Sequence, residues 1–516
     1  MNSFKAIVSA TFVVALSFVL ASCVTEPTVS GEELEQKSLD AWIKLHRPEL
    51  EVNRQKDGYY VEVLAWGEEG EPASGNDIGT DPTMDQDTCW VYTDLVARGL
   101  SGTVCLTRDH IMADMCGTFS YDTHYVPYFV YGGNSNAGII EGSYKALRNE
   151  ITLGEEYINK YWPGKSTTFK MRKGAKVRLY LPSVLAYDET GTTVEGGYEG
   201  QYSLSANTSM IMEMDIKGVV RNPSEKELEM VESYKAGLTG WVQATKSESE
   251  SDDDSDSDSE SKSEEKKEKE SLLEGLYYSL DYNPKNDNPA SHIYVAPDKK
   301  GGSNPYKDTK RYTSMEELDR KINEVLLKRF GEGLDASSRN EDTQVSHTSN
   351  AKVWYIGRFL DGFIFDTNID EVKALISDNK EAGGTVFSYR PSDDDGADDD
   401  SKSAIGAWYY CISKMHHGAY GTILTTSGYA YGASGISGTT TTSSSSANDA
   451  LYNYYNYYNY YASMYNYYDM YNYYNYNFYN YNYTASDTTT TTTTVIETEI
   501  LPYTPLVFTV FVEKKE

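Results

Sequence analysis

The chain has 516 residues and a formal net charge of −32, with 24% charged residues. That length predicts two to four domains. An acid excess of this size excludes a broad basic face, so nucleic acid is not an expected partner, and the charge serves to keep exposed segments soluble.

The N-terminus carries a processing signal. Lys5 gives a positive start, and Ile7 to Leu20 is an apolar run too short for a comfortable membrane span. It ends in Leu20-Ala-Ser-Cys23, which resembles the bacterial lipobox. Residues 1–22 then read as a lipoprotein signal peptide and Cys23 as the lipidation site. Bulk acyl chains would hold the protein to a membrane of the cell envelope, on its periplasmic or surface face. The other reading is an ordinary signal peptide with a chance cysteine.

Residues 24 to 30 read as a tether. Ser30 and Glu33 have capping-box spacing, and Leu34, Leu39, Trp42 and Ile43 predict a helix that ends by Pro48. Strand-like runs start at Tyr59 and recur to about Val220. A first domain over residues 30–222 follows. Residues 223–270 predict a partly helical, acidic linker. Its stretch 246–270 is nearly all Ser, Asp, Glu and Lys and predicts a disordered, self-repelling chain. A calcium reading of the Asp-Ser repeat is the alternative, but no glycine-containing loop of EF-hand type accompanies it.

The second domain covers residues 271–516. Ser314 and Glu317 predict a cap for a second amphipathic helix. Met315, Leu318, Ile322, Val325 and Leu326 form its face, and Gly331 ends it. Strands resume near Lys352. An acidic run from Asp393 to Asp400 and a long insertion at 436–498 interrupt this domain. Cysteines at 89, 105, 116 and 411 remain. Export permits a disulfide, and Cys105 with Cys116 is one possibility that sequence cannot fix. Cys411 lies on a predicted helix as a packed thiol. No Cys-x-x-Cys and no metal spacing occur, so no metal or cofactor is expected. His416 and His417 read as turn residues, with a metal pair as the alternative.

The most informative residues lie between Val353 and Phe508. Tyr355 is followed by Gly357, then Asp361-Gly362, then Phe365-Asp366. About forty residues later come Ile405, Trp408, Met415 and Gly418. Ala430-Tyr431-Gly432 follows, and the chain closes with Pro502 and Leu506-Val507-Phe508. In order and in spacing this set resembles the FKBP family of peptidyl-prolyl cis-trans isomerases, over about residues 350 to 512. Ile356 and Ala404 depart from the family pattern without removing a wall.

The resemblance implies an α+β fold: two FKBP-like domains, each an antiparallel β-sheet wrapped around a short α-helix, with a disordered linker and insertion. A weaker internal repeat supports the first copy. The interval from Met171-Gly174 to Ala186-Tyr187 matches that from Met415-Gly418 to Ala430-Tyr431. Tyr92 stands for Tyr355, Gly102 to Leu106 for Gly362 to Asp366, and Met210 to Met212 for Leu506 to Phe508. In this copy Cys105 and Leu106 replace the Phe-Asp pair. Gly164 falls at the tryptophan position, with Trp162 two residues away. Asp188 replaces a glycine, and Met212 replaces a phenylalanine. It reads as a divergent fold without the pocket.

The resemblance assigns roles in the second copy. Trp408 is the floor beneath a proline ring. Tyr355, Phe365 and Phe508 are walls. Ile405 fills the side, and its N–H can meet a substrate carbonyl. Tyr431 offers its hydroxyl to the peptide. Asp366 is a buried acid that orients the pocket. Phe387 and Ile500 are further substrate-binding residues. Such a site needs neither nucleophile nor metal. A prolyl amide resists twisting by ~18–20 kcal/mol, and an apolar pocket favours the twisted, less polar amide. The alternative is that these aromatics are only the core of a sheet packed on a helix. The expected partners are proline-containing exported polypeptides and, through the lipid, a membrane.

Residues 452 to 483 hold 17 of the chain's 46 tyrosines. The bland reading is a disordered, sticky excursion. The sharper one is an aromatic surface over the pocket mouth, for extended peptides or sugars. Tyr-Asn tracts can also self-associate. The function expected first is prolyl isomerisation, or help in folding exported proteins. The alternatives are a non-catalytic envelope binding or adhesion protein on the same scaffold, and a self-assembling surface protein.

Overall fold

The computed structural model describes residues 31–68, 90–102, 104–109, 112–113, 123–131, 140–187, 207–236, 240–248, 269–285, 315–346, 348, 350–377, 384–390, 404–436 and 498–515. The expectations for Cys23 and the signal peptide, Ser30, Cys89, Cys116, Asp188 and Ser314 lie outside these residues. So do those for the side chain of Cys105, the acidic run at 393–400, and most of the linker and insertion. Among the described residues, no helix is long and apolar enough to cross a membrane.

The first unit begins with α1 (Gly31–His46). Leu39 and Ile43 are fully buried, each worth about 1.5–3 kcal/mol on removal from water. Leu34, expected on this face, points to solvent, and Glu35 takes the inward place. Next come β1 (Tyr60–Trp66), β2 (Trp90–Gly99), β3 (Val104–Thr107) and β4 (Tyr128–Tyr131). They are followed by α2 (Glu141–Arg148), β5 (Ile151–Thr152), α3 (Glu155–Tyr161) and β6 (Thr168–Phe169). Strands β7 (Ala175–Leu181) and β8 (Met210–Val220) complete the unit. The main sheet is antiparallel in the order β1-β7-β8-β2-β3, with β4 on β2.

The second unit begins earlier than its sequence suggests. Helix α4 (Pro223–Ala236) buries Val231 and Tyr234 in the core of the second sheet. Strands β9 (Val242–Glu248) and β10 (Lys269–Ser279) pair with each other in that sheet. The expected linker therefore reduces to the residues between these two strands. The helical character expected here is present, but a core-facing carboxylate at Glu227 and a short apolar stripe hide its core face from a periodicity reading.

The remaining elements are α5 (Met315–Phe330), β11 (Ala351–Phe359), β12 (Ile364–Thr367), α6 (Asp370–Ile376), β13 (Phe387–Tyr389), α7 (Gly406–Ile412), β14 (Tyr420–Thr425) and β15 (Leu506–Val512). The sheet order is β12-β11-β15-β14-β10-β9, with β13 on β11. Taking β10, β14, β15, β11, β12 and β13 for β1, β7, β8, β2, β3 and β4 reproduces the first sheet. The described residues are α+β, with two large antiparallel sheets of one topology and a small sheet of β5 and β6.

Side-chain contacts repeat as well. Glu35 on α1 accepts hydrogen bonds from the Ser183 N–H at 2.9 Å and the Ser183 hydroxyl at 2.6 Å. Glu227 on α4 accepts from the N–H and hydroxyl of Ser427, the latter at 2.8 Å. The Tyr60 hydroxyl donates to Asp40 at 2.8 Å, and the Tyr277 hydroxyl donates to Glu232. Helix α4, and not α5, is thus the counterpart of α1.

What α5 does instead follows from the pleat, which sends successive side chains to opposite faces. Trp354 and Phe511 are paired across β11 and β15 and meet Phe330 of α5, with Phe330 stacked on Phe511 at 4.4 Å. Arg358, on the same face, forms a buried ion pair with Asp319 of α5 at 2.8 Å. The corresponding face of the first sheet carries charges instead. There Arg178 bridges Glu62 at 3.0 Å and Glu213 at 2.9 Å. This face of the second sheet is packed with rings under α5, and that of the first carries a largely buried charge network.

Candidate functional site

The opposite face of β11 and β15 meets α7. Tyr355 pairs with Val510 and Gly357 with Phe508, so Tyr355 and Phe508 project toward the helix. Ile405 is the N-cap, in extended geometry, and its carbonyl accepts the Trp408 N–H at 2.9 Å. Trp408 is the third residue of α7 and is buried. Rings meet it edge to face: Tyr355 and Phe387 at 5.3 Å each, Phe508 at 5.9 Å and Tyr389 at 6.3 Å. Such pairs are worth about 0.5–1.5 kcal/mol beyond area burial.

Phe365 lies 5.8 Å from Phe508 and 5.1 Å from Phe359. Its ring crosses β11 where Gly357 has no side chain. A Cβ there would come within 2.6 Å of the ring. The glycine two residues after Tyr355 is thus the space that Phe365 occupies.

Asp366 departs from its expectation. It is exposed on the rim, not buried, and its Oδ2 accepts the Tyr355 hydroxyl at 2.5 Å. Along β12, Ile364 and Thr367 are buried and Asp366 between them is exposed. Burial, then the charge of Asp366, then this hydrogen bond hold the Tyr355 phenol neutral far above its usual range. The Tyr431 phenol is also pushed up, by burial and then by Asp366, which places it in the same field. Ile500 is buried and forms a β-bridge with Ile436, N–H to carbonyl at 2.8 and 3.0 Å. Ile405 and Phe387 are half-buried against the same core.

Sequence reading missed Asn368. Its Oδ1 accepts the Tyr355 N–H at 2.8 Å, and its Nδ2 donates to the carbonyls of Val353 at 3.0 Å and Thr385 at 3.1 Å. It fixes Tyr355 and ties residue 385 to the same strand. Its one signal is a polar pair, Thr367-Asn368, set between apolar neighbours.

A cavity of about 300 Å³ opens beside the rings. Tyr355, Asp366 and Phe387 line it together with Thr367, Asn368, Lys373 and residues 384–386. Trp408, Phe365 and Phe508 lie behind that lining. Trp408 itself is only 5% exposed.

Cys411 is a buried free thiol, and burial raises its pKa far above the usual value. His416 Nδ1 meets Thr343 Oγ1 and His417 Nδ1 meets the Glu513 carbonyl, each at 3.0 Å. Both rings serve the turn after α7.

The first unit does not reproduce the aromatic set. Register equates Ala97 with Gly357, Leu106 with Asp366 and Met212 with Phe508. It also equates Leu95, not Tyr92, with Tyr355: Leu95 pairs with Met214 as Tyr355 pairs with Val510. A register shift between Tyr92 and Thr93 defeats counting along β2. Gly164 lies outside any helix. The third residue of α3, where α7 has Trp408, is Tyr157, whose hydroxyl accepts the Val63 N–H at 3.1 Å.

No protein-family model matches the chain. No curated protein matches it either. Among solved structures it is similar to FkpA from Escherichia coli, at 15% identity and a TM-score of 0.22, over 43% of this chain and 73% of that one. It is also similar to the three FKBP domains of wheat FKBP73, at 11% identity and a TM-score of 0.20, over 89% and 95%. A third is a peptidyl-prolyl cis-trans isomerase from Pseudomonas syringae, at 19% identity and a TM-score of 0.21, over 38% and 99%. Likenesses of this size assign neither family nor activity.

Proposed function

We propose that the second unit is an FKBP-type peptidyl-prolyl cis-trans isomerase that helps fold exported proteins. The reading rests on one observation: Trp408 is ringed by Tyr355, Phe387 and Phe508, with a single carboxylate held at the rim by Tyr355. Aromatic area, a fixed polar edge and the absence of a required nucleophile suit rotation about a prolyl bond, which needs only tighter binding of the twisted amide.

In this reading Trp408 is the floor, and Tyr355, Phe365 and Phe508 are walls. Ile405, Phe387 and Ile500 shape the side, and Tyr431 hydrogen-bonds the peptide. Asp366 orients Tyr355 and faces the substrate carbonyl without transferring a proton. Lys373 and the cavity beside Asp366 take the residue next to the proline. The first unit lacks the ring set and does not catalyse. Lipidation at Cys23, carried by the sequence alone, would keep the protein on the envelope with exported clients.

The test is a prolyl isomerisation assay on the whole chain beside Phe365→Ala and Trp408→Phe. Activity in the parent that falls in both variants supports the reading. A folded parent with no activity on any proline-containing peptide ends it.

A further inference from the structure

The two units touch beside the candidate pocket. His124, from the first unit, lies against two rings of the second. Its ring centroid is 4.5 Å from that of Phe359, stacked, and 4.7 Å from that of Phe363. Its Nε2–H donates to Asp361 Oδ2 at 2.6 Å. The other oxygen of Asp361 accepts the Phe363 N–H at 3.1 Å. The carboxylate gripped by the imidazole therefore also closes the turn between β11 and β12.

Arg108 fixes His124 in place. It donates to the His124 carbonyl at 3.1 Å, its guanidinium lies 4.4 Å over the Tyr128 ring, and it pairs with Glu499. Glu499 immediately precedes Ile500. Beyond it, Tyr503 meets Trp90 of the first unit edge to face at 5.1 Å. Both strands that flank the ring set, β12 and the segment entering β15, are thus held from the first unit.

We propose that the first unit sets the geometry of the second unit's pocket, with His124 as a positioning residue for the β11–β12 hairpin. The proposal rests on reading that pocket as the prolyl site. Strand β12 has four residues and, among the described residues, lies at the edge of its sheet, paired with β11 alone. A short edge strand is weakly determined by its own hydrogen bonds. Phe359, stacked under His124, is the neighbour of Phe365 at 5.1 Å. Holding Phe359 and Asp361 therefore holds the wall Phe365 and the adjacent Asp366. A unit without its own pocket thereby contributes to one.

The experiment uses the full chain with His124→Ala and His124→Gln. Glutamine keeps a donor toward Asp361 but loses the ring stack. Hydrogen exchange at amides 359–366 is measured beside kcat and KM on a proline-containing peptide. In His124→Ala those amides should exchange about two- to thirtyfold faster, with amides 420–425 unchanged, and kcat/KM should fall by a similar factor. His124→Gln should lie between parent and alanine in both readouts, and it carries the test alone if the alanine variant does not fold. Unchanged hairpin exchange overturns the proposal. So does faster exchange with parental kcat/KM, since the hairpin would then move without moving the pocket. A parent without isomerase activity removes the prolyl reading, not this one. The exchange result alone then decides, faster supporting and unchanged overturning.

Discussion

The Tyr355 hydroxyl donates to Asp366 at 2.5 Å and leaves that carboxylate on the rim of the ring set. Tyr355 is raised above the ordinary phenol range, first by burial and then by Asp366. A group whose folded pKa is raised contributes stability that is present below the unfolded value, about 10 for a phenol. That stability is lost as pH rises toward the folded value. Tyr355→Phe should therefore close its stability gap with the parent, or overtake it, as pH climbs above about 10. Denaturant melts of both proteins across that range check this, and a gap constant with pH would refute it.

Removing Trp408 has two separable consequences. As a buried ring among rings, Trp408→Ala should cost about 3–5 kcal/mol of stability. Trp408→Phe keeps most of the packing and should cost less, yet still lower kcat/KM by about tenfold, or 1.4 kcal/mol of barrier. A Trp408→Phe protein with lowered stability and parental activity would make the tryptophan core only.

Glu227 and Ser427 join α4 to the turn that leads to Tyr431. Glu227→Ala removes the acceptor of a buried N–H and a buried hydroxyl and should cost about 2–4 kcal/mol. Ser427→Ala removes one of the two bonds and should cost less. Burial raises the Glu227 carboxyl, against the Ser427 hydrogen bonds that lower it. Its contribution is therefore full below the unfolded pKa and declines as pH rises through the raised value. The gap between parent and Glu227→Ala should be larger in acid than at neutrality, read from melts at several pH values.

Arg358 and Asp319 form a buried pair that fastens α5 to β11. Asp319→Ala leaves the guanidinium without its carboxylate and should cost about 3–5 kcal/mol. Adding Arg358→Leu should recover a substantial part, because the cost lies mainly in an uncompensated charge. Two single losses that simply add in the double variant would contradict this.

The ring set was legible because its residues keep a strict count within short segments. Tyr355, Gly357, Phe365 and Asp366 lie on two adjacent strands, where sequence spacing fixes geometry. Phe508 was legible from the Leu506 to Phe508 pattern. The exposure of Asp366 was not legible, because an acid among apolar neighbours in sequence can still sit on the outward side of an edge strand. The helical character of residues 223 onward was legible, but the place of α4 in the second core was not, because Glu227 occupies a core-facing position, and α5 took its place as the apparent repeat. The partnership of His124 and Asp361 spans 237 positions and leaves no local trace.

Gly357 and Ala97 occupy the same place in two sheets of one design, and they differ by a single methyl group. In the second unit that missing carbon is where an aromatic ring rests. In the first unit the register sets Ala97 where Gly357 stands, and position 105 is a cysteine in the sequence. The two positions are therefore bound in order. A chain that gains the methyl before giving up the ring passes through a clash, whereas one that gives up the ring first can then accept the methyl without strain. Reopening the site would run the same steps backward, the methyl removed before a ring is placed, so it is the order of the two changes and not their direction that the packing constrains.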